Sequence, residues 1–253
     1  MEVHHHPEVE KKGLKEYVLE GLMIFLAVMM GFFAESIREG IGDASKGNEY
    51  IKSMIEDART DTAAIHRCIK ANLARLKAIH SVGEMCFSYD PSTTNDAVLY
   101  RLYLHATYYP EVVNPVERTM SQMKNSGGMR LIRKKAAADS IIAYDEEAKK
   151  LKDQQVAYER YLNNWAELSE QIFNLKYWST LDGKTKLAML KPGDAAYSDM
   201  LLTHDKKTLT IAGNAASVYG GVVSFYVERL KEMEMHSTNL IHTLQKEYGI
   251  KDK

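Results

Sequence analysis

Several groups of side chains in this sequence have types and spacings that could do chemistry. His4, His5 and His6 are adjacent imidazoles of the kind zinc, copper and nickel accept. Three consecutive residues on a polar tail lack the outer hydrogen bonds that orient metal ligands, so a solvated tail is expected. Glu56, Asp57 and Asp61 form an acidic patch, with Asp57 and Asp61 one helical turn apart. Carboxylate oxygens could hold a divalent cation there, but the dipole at a helix start also favours acids, and that account is preferred. Arg130, Arg133, Lys134 and Lys135 follow the Gly127-Gly128 turn and could receive a phosphate or headgroup; a solvated basic face is the expectation. His204-Asp205 would make a dyad only beside a nucleophile, which the sequence does not supply. Gly42-Asp-Ala-Ser-Lys-Gly47 lacks the Gly-Lys-Ser/Thr ending of a phosphate loop, and no paired CxxC or HExxH occurs. Neither an enzyme nor a bound cofactor or metal is expected. A formal net charge of -1 gives no concentrated basic surface, so nucleic acid is not an expected partner.

Cys68 and Cys86 would lie about 27 Å apart if one helix carries both. That exceeds the reach of a disulfide, so free thiols or a bond between chains are favoured unless a turn separates them.

The elements that must position these residues begin with Leu14–Gly40. Leu22–Ala34 contains no polar side chain and is apolar around its whole circumference, which a surface helix is not. The apolar character extends to Val18 and to Ile37, interrupted only by Glu20, Glu35 and Ser36, with Tyr17 and Phe32-Phe33 near the interfaces. These features favour a membrane span over a core helix. A small-x-small site at Gly42-Asp43-Ala44 lies beyond Glu35, Arg38 and Glu39, so an uncleaved signal anchor fits better than a cleaved leader. The expected organisation is a cytoplasmic tail over 1–16, a transmembrane anchor over 17–37 and a helical, periplasmic body over 38–253. Lys11, Lys12 and Lys15 precede the anchor, against Arg38, Lys46 and Lys52 after it, so orientation rests on the short tail and the long following domain. One face of the anchor reads Glu20, Ile24, Ala27, Gly31, Ala34 and Glu35. Small residues there let helices approach in lipid. Glu20 and Glu35 either mark the two interfaces or, in Glu20, place an acid within a helix cluster.

After Gly40-x-Gly42 and Gly47 the helical pattern resumes. Ile51, Ile55, Ala58, Thr62, Ile65, Ile69, Asn72, Leu76 and Ile79 form a heptad stripe whose one strongly polar member is Asn72. A stop is expected before Tyr89-Asp90-Pro91-Ser92, and a shorter helix over Asn95–Tyr109. Asn114-Pro115-Val116-Glu117 reads as a cap, first turn and third-position acid of another, ending at Ser126-Gly127-Gly128. A long helix carries Ile141, Tyr144, Ala148, Leu151, Gln155, Tyr158, Leu162, Trp165, Ser169 and Ile172. Breakers follow at Leu181-Asp182-Gly183 and Lys191-Pro192-Gly193-Asp194. The last helix has the cleanest stripe: Leu209, Ala212, Ala216, Tyr219, Val223, Tyr226, Leu230, Met233, Ser237, Leu240 and Leu244. The fold class is therefore all-α: one N-terminal transmembrane helix followed by an elongated bundle of long helices. Gly213, Gly220 and Gly221 inside the last helix point to close helix approach or a kink. Tyr103, Tyr108, Tyr109, Tyr158 and Trp165 could line a ligand pocket between helices, though aromatics at such spacings are ordinarily core.

The tail His4-His5-His6-Pro7, the anchor from Glu20 to Glu35, the following Glu49–Asp57 and the later Met123–Arg133 together resemble a family of uncharacterised single-pass membrane proteins from Bacteroidota. The match covers the first half of the chain and a little more. The resemblance implies a cell-envelope protein with a helical domain and carries no catalytic residues. The expected role is a membrane-anchored scaffold or accessory subunit of a cell-envelope complex in the bacterial inner membrane. Its expected partners are the lipid bilayer and either further copies of itself or other envelope membrane proteins. The alternative is an ion-coupling or transport subunit that uses Glu20 in an oligomeric helix cluster.

Overall fold

The computed structural model describes residues 13–108, 110–177 and 199–251. Its elements are α1 (Leu14–Phe87), α2 (Asp96–Thr107), α3 (Arg118–Asn125), a 3-10 turn (Gly128–Leu131), α4 (Lys135–Ser169), a second 3-10 turn (Leu175–Tyr177) and α5 (Lys206–Tyr248). The fold is all-α. Among the described residues the one strand-like feature is an isolated bridge between Phe173 and Leu201. The chain divides into two compact units, Met1–Tyr50 and Ile51–Lys253.

The first difference from the sequence reading is that no break follows Gly40, Gly42 or Gly47: α1 runs through all three. Each glycine weakens the helix by about 1 kcal/mol relative to alanine, which is not enough to interrupt a helix of 74 residues. Among the described residues the first unit holds the start of α1, up to Tyr50, and residues 14–39 are exposed apart from a half-buried Met29.

The second unit is built on three long helical stretches. Residues 51–87 of α1 run alongside α5 in opposite directions, as shown by Ile79 and His80 against Gly220, Gly83 against Ala216, and His66 Nδ1 3.2 Å from Glu234 Oε1. Helix α4 also opposes α5, with Tyr158 beside Tyr226 and Trp165 stacked near Tyr219. Every member of the α5 stripe from Leu209 to Leu244 is buried. The α4 stripe is buried at Ile141, Tyr144, Ala148, Leu151, Tyr158, Trp165 and Ser169, and the helix stops at Ser169, short of Ile172.

Helix ends follow local chemistry. Asn95 caps α2 by accepting from the Val98 N–H, and Asp205 caps α5 by accepting from the Thr208 N–H at 2.8 Å. Gly127 and Gly249 take φ of +65° and +64° after α3 and α5, where a side chain would be strained. The start of α3 differs from expectation. It begins at Arg118 with Glu117 in the cap position and no side-chain cap bond, so Asn114 and Pro115 lie before the helix.

Glycines inside α5 divide by what they face. A Cβ at Gly213 would lie 2.7 Å from the Phe87 ring, and one at Gly220 would meet His80 and Ile79 at 3.3 Å. Both mark close approach. Gly221 faces open space, with nothing within 4 Å of a Cβ. Gly221→Ala is therefore expected to raise stability by about 1 kcal/mol from helix propensity. Gly213→Ala, which must displace Phe87, gains less or loses. Urea unfolding of the two variants side by side checks the order.

Candidate functional site

The inward face of α1 holds Ile51, Ile55, Ala58, Ile65, Asn72 and Ile79 of the expected stripe, all buried, and adds polar residues beside them. Thr62, Ile69 and Leu76 are only half-buried, while Asp61, Cys68 and Arg75, one residue earlier in each case, are buried. With Asp57 and Asn72, this places a row of polar side chains inside the body. Their partners explain the arrangement.

The chain between α2 and α3 runs down α1 in the opposite direction and has no regular structure to satisfy its own backbone. Arg75 donates through Nη1 to the carbonyl of Ala106 at 3.1 Å and through Nη2 to that of Tyr108 at 3.1 Å, closing the C-terminal end of α2. Asn72 Nδ2 donates to the Glu111 carbonyl at 2.8 Å and to the Cys68 carbonyl at 3.0 Å, while its Oδ1 accepts from the Tyr158 hydroxyl at 3.1 Å. The Val113 N–H donates to the Tyr226 hydroxyl at 3.1 Å. Asp61 accepts the Val116 N–H at 3.0 Å and the Tyr144 hydroxyl. Asp57 accepts the Thr119 N–H at 3.1 Å, the Thr119 hydroxyl and Arg118 Nη2 at 2.6 Å. Buried backbone donors and acceptors need such partners. Here α1 supplies the cap that α3 lacks in its own sequence.

This corrects the reading of the acidic patch. Asp57 and Asp61 sit in the middle of α1, not near its start, and their oxygens serve α3 and the connection before it. Glu56 is exposed. Burial pushes the Asp61 carboxyl above the usual carboxylate range, against the lowering effect of Tyr144 and Val116. A carboxyl raised in the folded state holds its proton more tightly there than in the unfolded chain. Its contribution to stability therefore falls as pH rises from the ordinary carboxylate value through the raised one.

The other candidates are dispersed. His204 Nε2 lies 3.2 Å from Asp96 Oδ2, and Asp205 is the α5 cap, so the two do not form a dyad. Lys134 precedes α4, with its ammonium on the Glu247 carbonyl and 5.1 Å from the Tyr248 ring centroid, whereas Arg130, Arg133 and Lys135 are exposed. Tyr103, Tyr158 and Trp165 are core. Tyr103 stacks on Phe173 at 3.9 Å, Trp165 Nε1 donates to Thr107 Oγ1 at 2.8 Å, and Tyr158 packs on Tyr226 at 4.9 Å. They fill the space between helices with one another. Tyr108 contacts Tyr103 edge-on at the rim of this cluster. Tyr109, the tail histidines and the breakers at 181–183 and 191–194 lie outside the described residues. Cys68 and Cys86 are both free and buried on α1, and burial pushes each thiol up to about 11.

The anchor face lies open along α1. Glu20, Ile24, Ala27, Gly31, Ala34 and Glu35 all lie on α1 and are all exposed. Glu35 pairs with Arg38 at 2.5 Å, one turn along. A Cβ at Gly31 would have nothing within 4 Å.

No family model, curated protein or solved structure matches the chain.

The polar row generates two expectations. Asp57→Ala leaves the Thr119 N–H buried without an acceptor and is expected to destabilise the body by about 1–3 kcal/mol, read by urea unfolding. At pH 8, iodoacetamide should modify Cys68 and Cys86 about a hundredfold more slowly in the folded protein than in urea, because little thiolate forms at the raised pKa. Equal rates would contradict the burial of both thiols.

Proposed function

We propose that this chain is a membrane-anchored helical protein that acts by assembly: a scaffold or accessory subunit of a cell-envelope complex. In this reading residues 17–37 cross the bacterial inner membrane, residues 1–16 are cytoplasmic and the body is periplasmic. The observation that carries it is the state of the apolar segment. α1 contains a stretch long and apolar enough to cross a membrane, and none of that stretch is packed inside the protein. Leu22, Met23, Ile24, Phe25, Leu26, Val28, Met30, Phe32 and Phe33 are all exposed. Each such side chain gains about 1.5–3 kcal/mol on leaving water, so their sum favours a lipid or protein surrounding over solvent by a wide margin. A core helix of a soluble protein would have buried them.

The body supports assembly over catalysis. Its strongest candidates for chemistry, Asp57, Asp61, Asn72 and Arg75, spend their polar atoms on the chain's own backbone. The anchor face with Ala27, Gly31 and Ala34 supports close packing against a second membrane helix. Further copies of this chain or other envelope proteins would supply it.

Alkaline carbonate extraction of cell membranes tests the anchor. The full chain is expected in the pellet, and Leu26→Arg should shift a substantial fraction to the supernatant, since an arginine at mid-bilayer costs about 2.5–3.5 kcal/mol on insertion scales. Recovery of the unaltered chain in the supernatant would contradict the reading. Protease added to spheroplasts is expected to remove the body and spare the tail. Ala27→Cys or Gly31→Cys chains should crosslink in membranes.

A further inference from the structure

Within the body, α1 and α4 run in the same direction. Tyr158 bonds to Asn72 and Tyr144 to Asp61, so matched positions differ by 86 and 83 residues. Nine residues before the Tyr144–Asp61 pair stand Lys135 and Lys52. The first residue of α4 therefore lies level with Lys52. α5 ends at the same level, where the Lys134 ammonium meets the Glu247 carbonyl and lies 5.1 Å from the Tyr248 ring centroid. This end of the body is basic. Lys52, Arg130, Arg133, Lys135, Lys246 and Lys251 are all exposed there, and none of the six is in a salt bridge among the described residues. Of the acids nearby, Glu247 lies 3.9 Å from Lys134, while Glu56 and Asp139 stand one turn further in. The other end, where α1 and α4 stop and α5 begins, is of mixed sign. Asp90, Glu170, Asp199 and Asp205 are exposed there, Lys176 pairs with Asp199, and Lys206 donates to the Phe87 carbonyl. A formal net charge of -1 conceals the gathering of cations because it sums over the whole chain.

We infer that this basic end is a docking surface for the acidic phospholipid headgroups of the bilayer. Two observations select that occupant. The first is charge: unpaired lysines and arginines close to a span are complementary to phosphodiester headgroups, which either leaflet of an acidic membrane presents. The second is connectivity. The basic end is the one at which the body's chain begins at Ile51, and Ile51 is fourteen residues after Ile37. As helix those residues cover about 21 Å, and the headgroup layer occupies roughly the first 6 Å beyond the hydrocarbon. Extended arginine and lysine side chains, with a Debye length of about 8 Å at physiological salt, bridge most of the remainder. A tethered surface also meets its ligand at high effective concentration, so individually weak phosphate contacts accumulate. A nucleic acid arriving from solution gains nothing from the tether.

The inference rests on the membrane reading and deepens it, naming the lipid chemistry that the body itself recognises. Native mass spectrometry of the full chain, in detergent micelles holding equal amounts of phosphatidylglycerol and phosphatidylcholine, reads which lipid stays bound. Phosphatidylglycerol should be retained about tenfold or more over phosphatidylcholine, since each cation near an anionic surface is worth about fivefold. Arg130→Gln, Arg133→Gln and Lys135→Gln together should cut that ratio by about fivefold or more. Arg67→Gln, Lys70→Gln and Lys77→Gln together remove the same charge from exposed positions in the middle of α1 and should leave it unchanged. Ammonium acetate at about 1 M, where the Debye length is about 3 Å, should abolish the preference. Equal retention of the two lipids, or equal losses in the two triple variants, overturns the inference. Displacement of the lipid by duplex DNA at the same phosphate concentration would identify a nucleic-acid surface and overturn it as well. Carbonate extraction reports on the anchor separately. A chain that pellets yet shows no lipid preference keeps the membrane reading and loses this inference. A chain that is extracted yet keeps the preference loses the membrane reading alone.

Discussion

The connection between α2 and α3 lies partly buried without regular structure, and buried backbone groups left unpaired cost more than any one contact returns. In this protein the solution comes from α1, which turns Asp57, Asp61, Asn72 and Arg75 inward at helical spacing. Each meets a successive stretch of the connection: Thr119, Val116, Glu111 and the end of α2. The aromatic hydroxyls of Tyr144, Tyr158 and Tyr226 complete the set from α4 and α5. The three long helices are thus tied to one strap as well as to one another, and the polar row fixes which face of α1 points inward.

That constraint separates what the sequence made legible from what it hid. The α5 stripe could be read residue by residue because every inward position but one is apolar, small or aromatic, and the exception, Ser237, bonds back to its own helix at Met233. In α1 six of the nine stripe positions, from Ile51 to Ile79, are buried as the spacing suggests, and three are only half-buried. Thr62, Ile69 and Leu76 looked inward because polar residues were assigned to solvent, whereas Asp61, Cys68 and Arg75 hold those places. Asn72 was the one signal available, a lone polar residue within an apolar stripe, and it does sit at the centre of the network. The start of α3 was misplaced for the same reason, because its cap comes from a residue some sixty positions away that no local pattern reveals. The uninterrupted passage of α1 through Gly40, Gly42 and Gly47 is not legible locally, because glycine reads as a stop although each costs a helix only about 1 kcal/mol.

The two ends of α1 differ in what they expose. From Leu14 to Ile41 the helix carries large apolar side chains on every side, and all but the half-buried Met29 are exposed. From Ile51 onward apolar and polar side chains alike are committed to neighbours inside the body. A single helix thus carries two characters, one apolar and exposed, the other tied by its polar side chains to the backbone of the body.

Amide hydrogen exchange of the full chain, resolved at Val113, Val116 and Thr119, tests the polar row most directly. All three lie outside regular structure or at the edge of a short helix, where exchange is ordinarily fast. If α1 and α5 hold them as described, they exchange as slowly as the core amides of α4. Exchange at the rate of an unstructured loop would contradict the account.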